Sequence, residues 1–254
     1  MKLSWEARLG IILVLLSITI YSIKYMINGD AENIFNYVFN SLGYLPLNVL
    51  LVTIILNRLL ANRARQNKME KMNIVVGVFF SEIGTWLLTY LSDNDPNLCK
   101  LSGDLVKIDR WSEEEFVRVQ DKFKSHNYSI DIKKIDIKVL STFLSSKRDF
   151  SLRLLENPLL LENESFTNLL RSVFHLTEEL EHRRDLQGLP DSDYRHLAGD
   201  IERVYFLLVM EWMAYMRSLN SNYPYLFSLA MRTNPFDKNA CVTVRSPEAC
   251  AEIT

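Results

Sequence analysis

Between Leu9 and Leu60 the chain carries only four charged residues, Lys24, Asp30, Glu32 and Arg58. No other feature constrains the fold as strongly, because so long an apolar tract must be hidden from water by lipid or by protein. Residues 9–27, "LGIILVLLSITIYSIKYMI", form its first run. As a helix this run rises roughly 28 Å, enough to cross a hydrocarbon core. Lys24 lies near its end, where the aliphatic stem lets the ammonium reach the headgroups. Lys2 and Arg8 precede the run as they would in a signal peptide, but no small-residue cleavage site follows it. The run therefore reads as an uncleaved anchor.

The second run covers residues 34–60 and contains "NSLGYLPLNVLL" (40–51). Its most apolar part, residues 49–56, is too short to cross alone, so a full span includes Gly43 and Pro46. Pro46 cannot donate to the carbonyl of Leu42, and Gly43 leaves room for a bend, which predicts a kinked span. Asn40 and Asn48 are polar side chains within this span, able to join helix to helix or to line a pore. The linker between the runs is acidic, with Asp30 and Glu32, whereas Arg58, Arg63, Arg65, Lys68 and Lys71 follow the second run. Positive charge at the chain start and after run two predicts a two-span hairpin in the plasma membrane with both termini cytoplasmic.

A third apolar stretch, "IVVGVFFSEIGTWLLTYL" (74–91), has Glu82 at its centre. A carboxylate in mid-bilayer costs about 3 kcal/mol. The stretch is thus expected to pack in the cytosol or lie in the interface, with a third span as the competing reading. Gly77, Ser81 and Thr85 recur every four residues beside Glu82 and offer a surface for close helix packing, hence for self-association.

From Trp111 onward the apolar spacing is helical. Ser112 and Glu115 make a capping box for a helix over residues 112–126. Further helices are expected over residues 131–150, with a break at Pro158, over 164–187 and over roughly 193–222. No strand alternation or Gly-rich βα turn appears. The fold class expected is all-α: a transmembrane hairpin (1–62), a connecting region (63–110), a cytosolic helical bundle (111–236) and a loose tail (237–254). The aromatic segment after Asn222 is expected to dock back on the bundle, because its apolar side chains need cover.

The best chemical constellation is "RSVFHLTEELEHRRD" (171–185), where His175, Glu178, Glu179 and His182 share one helical face. Glu179 and His182 have the E-x-x-H spacing used by di-metal helical bundles. In the next helix Asp193, His196 and Asp200 continue the pattern. His175, Glu179, His182, His196 and Asp200 are therefore the candidate metal ligands. Arg171, Arg183 and Arg184 on the same helix favour the plainer reading of a solvated face with ion pairs. Glu211 sits within "LLVMEWMAYM" as a buried acid, expected to pair with Arg203 or Arg217, or with the polar tip of a neighbouring Trp or Tyr.

Net charge of −2 and no basic stripe give no nucleic-acid surface. Cys99, Cys241 and Cys250 are too scattered for a disulfide framework or thiolate site. No nucleotide-binding loop, Ser-His-Asp order or zinc-protease helix is present. The sequence points to a membrane-anchored helical module acting through protein contacts as scaffold, sensor or regulator, with no cofactor expected. Its expected partners are the lipid bilayer, further copies of itself and a cytosolic protein. An oligomeric pore lined by the second span is the alternative, and a metal-dependent enzyme on the bundle a third.

Overall fold

The structure is a computed structural model and describes residues 5–28, 31–97, 102–106, 108, 111–126 and 128–243. All regular elements among them are helical. Chain contacts divide the protein into two compact units, Met1–Gln66 and Asn67–Thr254.

In the first unit α1 runs over Trp5–Asn28, and α2 begins at Ala31. Helix α2 extends to Phe79 and passes through Pro46 without interruption, so most of this unit's length is α-helical. The apolar side chains from Ile11 to Met26 and from Phe35 to Leu60 are exposed almost without exception. Within Phe35–Ser92 lies a stretch long and apolar enough to cross a membrane. Ile11–Met26 is apolar but shorter than a full crossing, and the side chains of residues 9, 10 and 27 of the expected first span lie outside the described ones. Near the linker the Lys24 ammonium stands 3.9 Å from the centre of the Tyr37 ring.

The second unit has a single apolar core. Its axis is the pair α9 (Glu164–Glu181) and α10 (Asp191–Asn222). On α9 the residues Leu169, Val173, Leu176 and Leu180 recur at three- or four-residue spacing and are fully enclosed. Leu197, Ile201, Val204 and Leu208 do the same on α10. Helices α6 (Ile137–Ser146), α7 (Arg148–Leu155) and α8 (Pro158–Leu161) pack on α9, whereas α5 (Glu113–Lys124) and α11 (Pro224–Arg232) pack on α10. The short α4 covers Ser102–Val106.

The 74–91 stretch is part of this core. It comprises the end of α2, a π-helical turn over Phe80–Gly84, and α3 (Thr85–Ser92). Phe79, Phe80, Ile83, Leu87, Leu88 and Leu91 are all enclosed by protein, and the Phe79 ring meets Phe166 edge-on at 5.2 Å. Glu82, the residue that argued against a span, lies at the surface and accepts a 2.8 Å hydrogen bond from Lys147.

Local signals set the helix ends. Ser112 and Glu115 form a reciprocal capping box, and Asn157 caps α8 with Pro158 in its first turn. The helix expected over 131–150 is instead two: Asp136 caps α6 through the amides of Lys138 and Val139, and the chain breaks at Lys147 before α7. The helix expected to reach Gln187 stops at Glu181. After α10, Phe227 and Phe236 are buried, and Phe236 meets Trp212 at 4.9 Å, so this segment docks on the bundle. Of the tail expected to be loose, residues 244–254 lie outside the described ones, as do Cys99 and Cys250.

Candidate functional site

Helices α9 and α10 are antiparallel neighbours joined by a short turn, and this brings four of the five candidate ligands together. His175 Nε2 lies 3.9 Å from Glu179 Oε1 and 3.7 Å from Asp200 Oδ2. His196 Nε2 lies 3.7 Å from Glu179 Oε2 and 3.4 Å from the same Asp200 Oδ2. The four groups form a ring in which imidazoles and carboxylates alternate. The fifth candidate, His182, stands apart: it ends α9, with Nδ1 2.7 Å from the Glu178 carbonyl oxygen.

Two arginines hold the carboxylates of the ring, Arg203 on the outer oxygen of Asp200 and Arg183 on the Glu179 oxygen that also faces His196. Arg203 Nη1 donates to Asp200 Oδ1 at 3.0 Å. Arg183 donates to Glu179 Oε2 at 2.7 Å and makes a two-pronged contact with Asp193 at 2.7 and 2.8 Å. The Arg183 hydrogen bonds hold the carboxyls of both Glu179 and Asp193 below the ordinary range. Burial is uneven: the Asp200 side chain is only 5 % exposed, whereas His175 and His196 are 48 % and 54 % exposed. Asp200 Oδ2 is enclosed and makes no hydrogen bond, although two imidazoles face it.

Glu211 is buried, and neither expected arginine reaches it, because Arg203 pairs with Asp200 and Arg217 with Glu113. Burial raises its carboxyl above the ordinary value, and the nearby Ser165 hydroxyl opposes the rise. In the small-residue stripe, Gly77 packs within the chain: a Cβ there would stand 2.8 Å from the Tyr215 hydroxyl. Ser81 is exposed, and the Thr85 carbonyl accepts a bond from Thr89. In the first unit Asn40 and Asn48 are exposed, and a Cβ at Gly43 would meet nothing within 4 Å.

A second constellation escaped the sequence. Asp95, His126, Tyr128 and Tyr205 come from a loop after α3, a loop after α5, and α10. Asp95 Oδ2, His126 Nε2 and both phenol oxygens are enclosed and make no standard hydrogen bond. The rings of His126, Tyr128 and Tyr205 follow one another edge to face at 4.9 and 5.1 Å. Burial, reinforced by the Asp95 charge, pushes both phenols far above their ordinary range and keeps them protonated. These four residues span more than a hundred positions, so no spacing rule could have grouped them.

The chain matches two family descriptions over consecutive segments. Residues 1–60 match "MJ1433, N-terminal helical domain", and residues 68–232 match "Uncharacterized protein MJ1433, C-terminal helical domain". A relative from Methanocaldococcus jannaschii, "Uncharacterized protein MJ1433", is 43% identical over 235 residues, covering 92% of this chain and 94% of the relative. No solved structure matches.

Proposed function

Because the chain belongs to the MJ1433 family and carries both of that family's helical domains in order, we propose that it is a membrane-anchored helical module. The exposed apolar surface of Ile11–Met26 and Phe35–Leu60 carries this reading. Twenty-seven large apolar side chains would face water otherwise, far beyond the patch a soluble monomer tolerates. Both helices insert as a hairpin in the plasma membrane, and Lys24 rests on Tyr37 near the linker, where amphipathic side chains suit the interface. Arg58, Arg63 and Arg65 hold the far end of α2 on the cytosolic side. The second domain, with its own core, then acts in the cytosol through contacts with protein partners, including further copies of itself.

Two measurements test this. The protein should stay with the membrane pellet after alkaline carbonate washing. Single cysteines at positions 30 and 68 should differ in reaction with a membrane-impermeant thiol reagent in intact cells, with only position 30 labelled. Release by carbonate, or labelling at position 68, would overturn the hairpin.

A further inference from the structure

We propose that His175, Glu179, His196 and Asp200 form a binding site for one divalent cation of the zinc type, independent of the membrane reading. Four donors from two helices meet here, and their alternation already matches what a cation would organise. Neighbouring ligand atoms of a tetrahedral zinc stand about 3.3–3.4 Å apart, as follows from Zn–N and Zn–O distances near 2.0–2.1 Å. Among His175 Nε2, His196 Nε2, Asp200 Oδ2 and Glu179 Oε1 the imidazole–carboxylate separations are 3.4, 3.7 and 3.9 Å, and His196 meets the other Glu179 oxygen, Oε2, at 3.7 Å. As the side chains stand, no group of three or more His, Cys, Asp or Glu among the described residues could hold a metal ion. This ring is open by a few tenths of an ångström per edge, and the half-exposed imidazoles can close it by small rotations about their side-chain bonds.

Asp200 is the observation that turns a surface ion-pair face into a site. Its Oδ2 is enclosed, lacks a hydrogen bond, and points between the two Nε2 atoms. Leaving a buried carboxylate oxygen unpartnered is costly, and a cation at the ring centre would satisfy it together with both imidazoles. Arg203 occupies the outer oxygen of Asp200, in the position of the outer partners that orient metal-binding carboxylates, and Arg183 holds Glu179 Oε2, which leaves Oε1, on the His175 side, to the cation. Two imidazoles with two carboxylates suit a borderline cation better than magnesium or calcium, which prefer all-oxygen shells. The exposed side of both histidines gives the ion a route from solvent.

The test uses the full-length protein in detergent, stripped with chelator, incubated with zinc chloride and desalted before metal analysis. One zinc per chain is expected in the wild type and in His182→Ala, and none in the His175→Ala/His196→Ala double variant. Arg203→Gln should weaken binding about tenfold, as removal of an outer partner does. With cobalt(II) in place of zinc, the wild type should show the visible absorption of a four-coordinate ion, absent from the double variant. Because both histidines are half-exposed, the double variant is expected to fold, and its melting curve without metal should match that of His182→Ala. Wild-type protein that retains no zinc, or a double variant that retains as much, would overturn the site and leave the face a plain ion-pair network.

Discussion

His126 Nε2 lies 3.6 Å from Asp95 Oδ2, with the aspartate side chain fully enclosed and the histidine nearly so. Two phenols complete their surroundings, so a loop after α3, a loop after α5 and the central helix α10 are joined by polar groups inside an otherwise apolar core. Such a cluster fixes the relative position of the three segments more specifically than aliphatic packing does.

Alkaline pH should expose this cluster. The Tyr128 and Tyr205 pKa values rise above the ordinary 10.0 on folding, so each phenol holds its proton more tightly in the native state. Their contribution is complete below pH about 10 and is lost as pH climbs further, because the unfolded phenols ionise first. Chemical denaturation from pH 8 to 11 should show falling stability. The fall should be shallower in the Tyr128→Phe/Tyr205→Phe double variant.

Glu211 provides an acid-side counterpart. Its pKa is raised above 4.5 by burial, so the folded state binds the proton more strongly. The associated stability is present below about pH 4.5 and disappears as pH rises through the raised folded value. Glu211→Gln cannot ionise, so its stability relative to wild type should improve as pH goes from 4 to 7. Denaturant midpoints at several pH values check this; a constant offset would mean that the carboxyl does not titrate anomalously.

The two core glycines should respond differently to alanine. At Gly84 a Cβ would stand 2.4 Å from Phe80 Cδ1 and 3.1 Å from Phe79 Cε1, both in enclosed rings. Overpacking of this kind costs about 1–3 kcal/mol, which outweighs the gain in helix propensity of up to about 1 kcal/mol. At Gly77 the nearest atom is the hydroxyl at the far end of Tyr215, which can swing aside. Gly84→Ala should therefore lower the denaturant midpoint, while Gly77→Ala leaves it nearly unchanged.

Ser112→Ala should cost about 1 kcal/mol. The Ser112 hydroxyl accepts from the Glu115 amide, and the Glu115 carboxylate accepts from the Ser112 amide at 2.7 Å, so both halves of the box are made. Thermal melts of Ser112→Ala and of Glu115→Ala should show losses that do not add when the two are combined.

The capping box, the turn at Pro158 and the long α10 were legible because each is encoded within a few neighbouring residues. The juxtaposition of His175, Glu179, His196 and Asp200 followed from the same logic, since i, i+4 spacing on α9 and α10 fixes a common face. His182 failed because α9 stops at Glu181, one residue before it. The split at Lys147 was hidden by a continuous apolar pattern running through Phe143, Leu144 and Phe150. Glu211 is buried as expected, but its arginine partner was misplaced, because Asp200 takes Arg203 and Glu113, far away in sequence, takes Arg217. The Asp95 cluster depends wholly on tertiary contacts and left no local trace.

The π-helical turn at Phe80–Gly84 also governs which changes of length this region tolerates. It accommodates one residue more than an α-helix would over the same rise. That surplus residue keeps Met72, Val76, Phe79 and Ile83 in line with Leu87, Leu88 and Leu91 on the buried side. Deleting one residue there would restore regular helical geometry locally, yet rotate everything after it by about 100°. Three leucines would swing from the core toward solvent. A change of length in the loops around this segment leaves that register intact, whereas one between Val76 and Leu87 destroys it.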